Sequence, residues 1–343
     1  VRTRNAVQKE VIFISCTIKE LAKACGVSEG TVDRAVNNRS GIKESTKKRI
    51  LEMAEQMDYR PNHLAKSLAT GITKTLGIVS VDLSNNFFAL LVESIEQTAR
   101  EHGYFVNLAL SHNDPEKEME AIRYMAERRV DGIILFPLGK GAQFSSFLKK
   151  LNIPIVTIYN RIECDFVHVD VDCRLIMRNV VSYLAGKGYN EMIYIDPHFQ
   201  NMKSRGINVF SIEQRRIGYL EGIDHEKLGE SNILEDMDEK QLVDIAKRKD
   251  GKRKVFICRN DTPAVRLMTI FRKNNIKVPE DVGIIGFDNI AILDNMSPRL
   301  TSVDCNIKTT GRKATTNLIR MINGEKDIKD CVVDYNIVEG ETL

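Results

Sequence analysis

The residue types that most often perform catalysis or bind metals are scattered along this 343-residue chain. The six histidines, at positions 63, 102, 112, 168, 198 and 225, do not fall at the spacing of metal ligands. The seven cysteines stand singly, without a CxxC pair, which indicates reduced thiols rather than a disulfide or metal framework. No Gly-x-Ser-x-Gly turn or other nucleophile signature is present. The sequence therefore does not predict an enzyme or a metal site.

A nucleotide cofactor would need a glycine-rich turn to hold its phosphates. The chain has neither a Gly-x-Gly-x-x-Gly turn after a strand nor a Walker A sequence. We therefore expect no cofactor, and the chemistry of this chain is expected to be binding.

Positive charge is concentrated at the N-terminal end. Residues 1–74 carry 14 lysines and arginines against 8 aspartates and glutamates, whereas the other 269 residues carry 36 against 39. A basic head on a slightly acidic body favours a polyanionic partner for the head alone. The longest early apolar run, Val11-Ile12-Phe13-Ile14, is shorter than the about 7 to 15 residues of a secretory signal. No run approaches the roughly 18 residues that cross a bilayer, so a cytoplasmic protein without a membrane partner is expected.

Three short amphipathic helices are predicted in the head. Thr17-Ile18-Lys19-Glu20 has the form of a capping box, and apolar positions follow at helical spacing. Gly26 ends this helix, because glycine readily takes the left-handed conformation of a C-cap, and Ser28 begins the next one. A third helix follows through Ile50 and Ala54. The first two form a helix-turn-helix pattern, although a plain helical hairpin has the same spacing.

The order of the residues favours the first interpretation. Residues 18–68 resemble the DNA-binding region of the LacI/GalR (lactose/galactose repressor) family in the segments TIKELAKACGVSEGTVDRAVNN, STKKRI, DYRPN and HLAKSLATG. The resemblance implies that residues 15–60 form a helix-turn-helix domain that binds double-stranded operator DNA as half of a homodimer. Residues 1–14 lie outside it and are left as an unassigned extension.

The resemblance also implies roles for individual side chains. Arg34 matches the family's base-reading arginine, which can bond guanine O6 and N7 in bidentate fashion. Glu29 and Gly30 occupy the two positions that the family varies to select its operators. Asp33 replaces the usual serine, and its charge would face phosphates unless Arg34 or Lys19 neutralises it. The positions that match the family's phosphate contacts are Thr17, Ser28, Thr31 and Asn37.

Residues 61–74 resemble the family's hinge helix and linker. In the family this segment orders on operator DNA as a pair, and a leucine, here Leu68, enters a minor-groove step. Asn62, in the same segment, is also assigned to DNA binding. The hinge helix itself would span only eight residues, 61–68, which are too few for a stable isolated helix. Without DNA we therefore expect this segment to be a flexible linker.

Residues 75–343 alternate short β-rich runs with helical patterns. This alternation predicts an α/β fold of doubly wound parallel sheets, and its length suits two lobes. Ligands of such sheets bind in the crevice beyond the carboxyl ends of the strands. The predicted strands are Leu76–Val81, Phe105–Leu110, Gly132–Phe136, Ile155–Ile158, Met192–Ile195, Lys254–Cys258 and Val282–Gly286. The predicted helices are Phe88–His102, Pro115–Arg129, Cys173–Ala185, Gln214–Gly222 and Thr262–Asn274.

The same residues resemble the family's type I periplasmic-binding-protein-like sensor over essentially their full length. Segments that carry this resemblance include SVDLSNNFFALLVESIEQTAREHGY, RRVDGIILFP, EQRRIGY, CRND, VPEDVGIIGFDN and SPRLTSVD. It implies an N-lobe of residues 75–172 and 303–323 and a C-lobe of residues 173–302 and 324–343. It also implies a small-molecule effector between the lobes. A sugar or sugar derivative is the first candidate, with a sugar phosphate or nucleobase as alternatives.

Candidate effector contacts follow from the matching positions. Arg215 matches an arginine that donates to ligand hydroxyls or carboxylate, and Asp288 suits a bidentate grip on adjacent hydroxyls. Tyr159 stands where sugar binders often have aspartate, and Cys305 stands where many relatives have glutamine, so both change the polar lining. The predicted effector residues are Asn85, Phe87, Phe88, Tyr159, Asn160, Arg161, Arg215, Asn260, Asp288 and Cys305.

Two functions fit a two-lobed sensor. An effector-controlled DNA-binding regulator, a repressor in the first instance, explains both the basic head and the lobes. A solute-binding protein of a transport system uses the same lobes, but it predicts a signal peptide and no basic head. The sequence favours the regulator.

Overall fold

The structure is a computed structural model in which residues 16–60, 67, 70–162 and 166–343 are described. The chain divides after Thr73 into two compact units, a head and a body. None of the described helices combines the length and apolar character that a bilayer crossing requires.

The head contains the three predicted helices, α1 (Ile18–Cys25), α2 (Glu29–Val36) and α3 (Glu44–Gln56). The predicted capping box begins α1: the Thr17 N–H donates to Glu20 Oε2 over 2.8 Å, and Glu20 N–H donates to Thr17 Oγ1 over 3.3 Å. Gly26 ends α1 with φ 64°, the left-handed conformation that glycine takes without a steric cost.

One apolar cluster joins these helices. Leu21, Val32 and Ile50, one from each helix, are fully buried in it. Arg49 on α3 also donates to the carbonyl of Cys25 at the end of α1, over 3.1 Å. Because α2 buries Val32 and Ala35, Glu29, Gly30 and Arg34 are left exposed on its opposite face.

The body is built from twelve strands in the described residues. They are β1 (Thr75–Ser80), β2 (Phe105–Leu110), β3 (Gly132–Leu135), β4 (Ile155–Ile158), β5 (Val167–Asp170), β6 (Glu191–Ile195), β7 (Asn232–Leu234), β8 (Lys254–Cys258), β9 (Val282–Phe287), β10 (Thr301–Asp304), β11 (Cys331–Val332) and β12 (Asn336–Val338).

Helices separate most of these strands, as the alternation predicts. They are α4 (Asn86–Glu101), α5 (Pro115–Glu127), α6 (Gly141–Lys150), α7 (Cys173–Gly186), α8 (Phe199–Ser204), α9 (Phe210–His225), α10 (Glu239–Lys247), α11 (Asp261–Lys273) and α12 (Ile307–Ile322), with a 3-10 turn at Ala291–Asn295.

The strands form two six-stranded sheets, one in each lobe. Their orders are β11-β5-β4-β3-β1-β2 and β12-β10-β9-β8-β6-β7. All pairings are parallel except that of β10 with β12. Every residue of β3, β4, β6, β8 and β9 is buried, as expected for strands covered by helices on both faces. The two-lobed, doubly wound α/β architecture is therefore confirmed.

The last two crossings between the lobes fall later in the chain than expected. Val303 pairs with Phe287 in the second sheet, so the crossing follows Asp304 rather than preceding residue 303. Cys331 pairs with Val169 in the first sheet, so the final crossing follows Val332 rather than residue 323. The expected boundaries at 303 and 324 are corrected accordingly. A two-residue strand such as β11 is too short to leave a pattern in the sequence.

Candidate functional site

The outward face of α2 carries the residues predicted to contact bases. Glu29 and Gly30 open the helix, Arg34 lies in its last turn, and all three are exposed. A Cβ added at Gly30 would lie 3.9 Å from Ser28 Oγ, an ordinary contact. The fold therefore does not require glycine at this position.

Three of the four predicted phosphate contacts, Thr17, Ser28 and Thr31, lie at the starts of the first two helices, whereas Asn37 is the C-cap of α2. Thr17 caps α1 and Ser28 caps α2, where free backbone N–H groups favour an anion. The hydroxyls of Ser28 and Thr31 lie 2.9 Å apart, and Ser28 Oγ also accepts from Thr31 N–H over 3.2 Å. These residues thus lie where a DNA backbone could be held, which remains a prediction.

Asp33 is neutralised, but by a different partner from those expected. Arg39 Nη1 lies 3.0 Å from Asp33 Oδ2, and Asn37 Nδ2 donates to Asp33 Oδ1 over 2.8 Å. Arg34 and Lys19 do not pair with this carboxylate in the described head. The Arg34 guanidinium is consequently left exposed on the outer face of α2.

The remaining DNA-binding candidates, Asn62 and Leu68, lie outside the described residues. So do the extension at residues 1–14 and most of the predicted hinge helix.

In the body, a cavity of about 510 Å³ lies at the carboxyl ends of the strands of both lobes. This volume suits a small organic ligand. Its lining contains eight of the ten predicted effector residues: Asn85, Phe87, Phe88, Tyr159, Asn160, Arg215, Asn260 and Asp288.

The first lobe contributes an aromatic wall. Phe87 contacts Phe88 and Tyr159 edge-on, with ring centroids 5.0 and 4.9 Å apart, and Phe88 meets Phe136 at 5.0 Å. Asn85 begins α4 and positions the two adjacent phenylalanines, since its Oδ1 accepts from Phe87 N–H over 3.1 Å. Phe136 also lines the cavity but was not among the predicted residues. It could have been predicted, because it lies at the end of a predicted strand. Such a wall suits the apolar face of a flat ring.

The second lobe contributes a polar wall around Arg215. The guanidinium lies 3.6 Å from the ring centre of Phe287 and donates to the carbonyl of Arg259 over 2.6 Å. Its Nη2 lies 3.9 Å from Asp288 Oδ1. Arg215 Nε, Asp288 Oδ1 and Asn260 Oδ1 are buried and have no hydrogen-bond partner among the described residues. Because such groups destabilise a fold, they indicate a place where a ligand supplies the partner.

Asp288 is held in a conformation that is rare for a residue with a side chain. Its φ is 106°, and Asp261 fixes the following turn by accepting from Ile290 N–H over 2.9 Å. Ser302 Oγ donates to the other Asp261 oxygen over 2.6 Å. A Cβ at Gly286 would lie 2.1 Å from this oxygen, so only glycine fits there. Strain of this kind is typical of ligand sites.

Burial also changes the ionisation of this wall. It raises the pKa of Asp288 to about 8 and the pKa of Asp261 to about 7, although Arg215 opposes the rise at Asp288. Asp196 is fully buried and pairs with Arg216 at 3.1 Å and with Arg259 at 3.3 Å. The second lobe thus surrounds the cavity with buried ionisable groups that face little solvent.

Two predicted effector residues do not line the cavity. Arg161 is exposed, and its guanidinium pairs with Asp330 at 2.8 Å. Cys305 is fully buried on the crossing segment after β10 and does not reach the cavity surface. The cavity therefore gives no support to these two expected contacts, because position along the chain does not fix where a loop side chain points.

Tyr159 and Asn160 line the cavity but have other hydrogen-bond partners. The Tyr159 hydroxyl donates to Thr310 Oγ1 over 3.4 Å, which leaves its ring as the ligand-facing part. Asn160 donates to the carbonyls of Pro137 and Asn208 and accepts from Ser211, so its amide is fully used within the protein.

One part of the lining was not predictable from sequence motifs. The segment between β6 and α9 brings His198, Asn201, Arg205 and Asn208 to the cavity, and no motif marks it. Arg259 is different, because it directly precedes Asn260 in the segment that already pointed to the site.

Comparisons with known proteins agree with both units. Residues 17–62 match bacterial regulatory proteins of the lacI family, and residues 181–343 match a periplasmic binding protein-like domain. The HTH-type transcriptional regulator RegA of Clostridium acetobutylicum is 31% identical over 333 residues, which cover 96% of this chain and 99% of RegA. The HTH-type transcriptional repressor PurR of Vibrio parahaemolyticus is 28% identical over 327 residues, covering 91% and 94% of the two chains.

Solved structures show the same fold. The lac repressor dimer bound to operator and the anti-inducer ONPF has a TM-score of 0.81 at 17% identity, covering 96% of this chain and 99% of that one. A periplasmic binding protein/LacI transcriptional regulator from Alkaliphilus metalliredigens, complexed with D-xylulofuranose, has a TM-score of 0.66 at 26% identity, covering 78% and 98%. With its helix-turn-helix head and periplasmic-binding-protein-like body, the chain belongs to the LacI family of DNA-binding transcriptional regulators.

Proposed function

We propose that this protein is a repressor whose operator affinity is controlled by a sugar or sugar derivative bound in the interlobe cavity. One observation carries the proposal: an aromatic wall on one lobe faces three unpartnered buried polar atoms on the other. The proposal agrees with the relatives, of which one is named a repressor and another was solved with D-xylulofuranose.

The chemistry of the two walls suits a ring that has both an apolar face and hydroxyl groups. The C–H face of a sugar packs against Phe87 and Phe88, because aromatic rings favour such contacts. Asp288 Oδ1 and Asn260 Oδ1 accept from hydroxyls, and Arg215 Nε donates to one. Each unpartnered atom then gains a hydrogen bond, which would otherwise be missing from a buried group.

We expect the effector to regulate DNA affinity by shifting the population of conformations of the two lobes. Because both lobes contribute to the cavity, a ligand stabilises the arrangement in which both walls contact it. We expect the protein to act as a homodimer in which each head binds one operator half-site. Residues 61–74, which connect head and body, are then the segment through which the lobes affect DNA affinity. By linkage, operator DNA changes effector affinity by the same factor.

A thermal-shift screen against free sugars, sugar phosphates and nucleobases tests the effector class. A ligand at 100 times its Kd stabilises the native state by about 2.7 kcal/mol. We expect a free sugar to raise the melting temperature of the wild-type chain and to have no effect on an Asn260→Ala variant. A shift produced by nucleobases and by no sugar would exclude the sugar assignment.

Arg34→Ala is expected to weaken operator binding by roughly 1–3 kcal/mol, through one base position. The exposed guanidinium is free to form a bidentate contact, which alanine cannot make. Duplexes selected from a random library by the wild-type protein provide the operator, and single-base variants of it locate the effect by fluorescence anisotropy. An equal loss on every sequence would mean that Arg34 contacts only phosphate.

Arg39→Ala is expected to weaken binding to any duplex. The exposed Arg39–Asp33 pair contributes little stability, at most about 1 kcal/mol, but its loss leaves Asp33 uncompensated near the phosphates. The salt dependence of binding to a random-sequence duplex measures this effect. The double variant Asp33→Ser/Arg39→Ala removes both charges and is expected to recover most of the affinity. If the double variant binds no better than Arg39→Ala, then Arg39 acts by contacting DNA itself.

A further inference from the structure

The two lobes contact each other beside the cavity through a compact set of polar groups. Asn208, which precedes α9 in the second lobe, donates its backbone N–H to the Leu138 carbonyl over 2.7 Å. Its Nδ2 donates to the carbonyls of Gly139 and Arg161 in the first lobe, over 3.3 and 3.1 Å. We call these contacts, with those of Asn160, the interlobe latch.

Asn160 makes the reciprocal contacts from the first lobe. Its Nδ2 donates to the Asn208 carbonyl over 2.8 Å, and its Oδ1 accepts from Ser211 N–H and Ser211 Oγ over 3.1 and 2.9 Å. Asn160, Asn208 and Ser211 are all buried. The latch therefore joins the lobes by hydrogen bonds from which solvent is excluded, where their loss is costly.

Behind the latch lies a carboxylate that does not itself line the cavity. Glu118, on α5, is fully buried. Its two oxygens accept from the N–H groups of Leu138 and Gly139, each over 2.7 Å. These are the two residues whose carbonyls accept from Asn208. Glu118 thus accepts from the N–H groups of Leu138 and Gly139, while Asn208 donates to the carbonyl groups of the same two residues.

We propose that Glu118 is the positioning residue of a ligand-independent latch that holds the two lobes together before the effector binds. By fixing Leu138 and Gly139, it presents their carbonyls to Asn208 in the arrangement that closes the cavity. The consequence for regulation rests on the proposed function: the apparent Kd of an effector equals its intrinsic Kd divided by the fraction of closed protein. Glu118 therefore sets effector sensitivity without contacting the effector.

Hydrogen exchange of the ligand-free full-length chain, followed by mass spectrometry, tests the proposal. Glu118→Gln keeps the size of the side chain but replaces one acceptor oxygen by an NH₂ group that cannot accept. We expect exchange to become about tenfold faster or more in residues 136–142 and also across the cleft in residues 205–213. Glu120→Gln, an exposed neighbour on the same helix, is the matched control and is expected to change neither segment.

Acceleration confined to residues 136–142 would show that Glu118 stabilises only its own lobe, and the proposal would be wrong. Asn208→Ala provides a second test if Glu118→Gln does not fold. It is expected to accelerate exchange at Phe210, whose N–H donates to Asn208 Oδ1 over 3.1 Å, while Leu138 and Gly139 stay protected by Glu118. If it exposes those two amides as strongly, they depend on the interlobe contact and Glu118 is not their anchor. Neither measurement uses a ligand, so its outcome is independent of the sugar assignment.

Discussion

Asp288→Asn is expected to make the body more stable than wild type at alkaline pH while removing its response to the effector. Burial raises the pKa of Asp288 from 3.8 to about 8. A carboxyl group with a raised pKa in the native state stabilises the fold fully below its unfolded-state pKa. That contribution is lost as the pH rises through about 8, since ionisation then places a charge in a buried site. Asparagine has a similar shape and does not ionise.

The measurement is the free energy of unfolding by urea at pH 5, 7 and 9. The difference between the Asp288→Asn variant and wild type is expected to grow by on the order of a few kcal/mol from pH 5 to pH 9. Glu118 and Asp261, whose pKa values are both raised to about 7, reduce wild-type stability in the same direction and are unchanged by the substitution. Asp236→Asn alters an exposed carboxylate and is the matched control. A pH-independent difference would show that Asp288 is ionised throughout this range.

The same variant is expected to lose effector binding. Asp288 Oδ1 is one of the three buried atoms of the polar wall that lack a hydrogen-bond partner, and asparagine keeps only one acceptor oxygen, since an amide nitrogen that cannot accept replaces the other. Stability and binding therefore change in opposite directions, as at other sites where a buried polar group serves a ligand. A variant that gains stability and keeps its thermal shift with the effector would place the ligand away from Asp288.

Gly218→Ala is expected to destabilise the body by about 3 kcal/mol or more, at the upper end of the cost of overpacking. A Cβ at this position would lie 2.2 Å from the Arg174 carbonyl oxygen, which belongs to the backbone of α7 and has little freedom to move. One turn later, a Cβ at Gly222 would lie 2.6 Å from Val181 Cβ, so α9 approaches α7 closely along this whole face.

The substitution is also expected to weaken effector binding, because Arg215 lies one turn earlier on α9 and would move with the helix. Gly186→Ala on α7 is the matched control: nothing lies within 4 Å of its Cβ, and it should be neutral or slightly stabilising. Urea unfolding of both variants measures the contrast. Equal stabilities would mean that α9 can shift outwards without loss of packing.

Helices and strands that depend on contacts between residues close in the sequence were predictable. Thr17 and Glu20 form the predicted capping box, and α5 begins at the predicted Pro115 with Asp114 as its N-cap, because these contacts involve neighbours along the chain. The buried strands were predictable for a similar reason, since continuous apolar runs are typical of parallel sheets. The aromatic and charged residues at the strand ends followed from the rule that parallel strands end at one edge.

The latch and the exact lining of the cavity were not predictable in this way. Asn208 binds Gly139, which lies 69 positions away in the chain, and no local pattern indicates that pairing. Asn160 was predicted as an effector contact because of its place after β4, yet tertiary contacts use all of its amide. Asp33 likewise pairs with Arg39, because the turn after α2 directs Arg39 back towards it. Which partner satisfies a polar side chain depends on packing that only the folded chain specifies.

At Gly30 the choice of side chain is independent of the packing of the head. This residue lies on the exposed face of α2, and a side chain there would meet only the Ser28 hydroxyl at ordinary contact distance. Replacing glycine within a helix also lowers the entropy lost on folding. New side chains can therefore be introduced at this position without compensating changes in the core, which makes it a suitable starting point for engineering altered operator preference and an easy step for natural divergence.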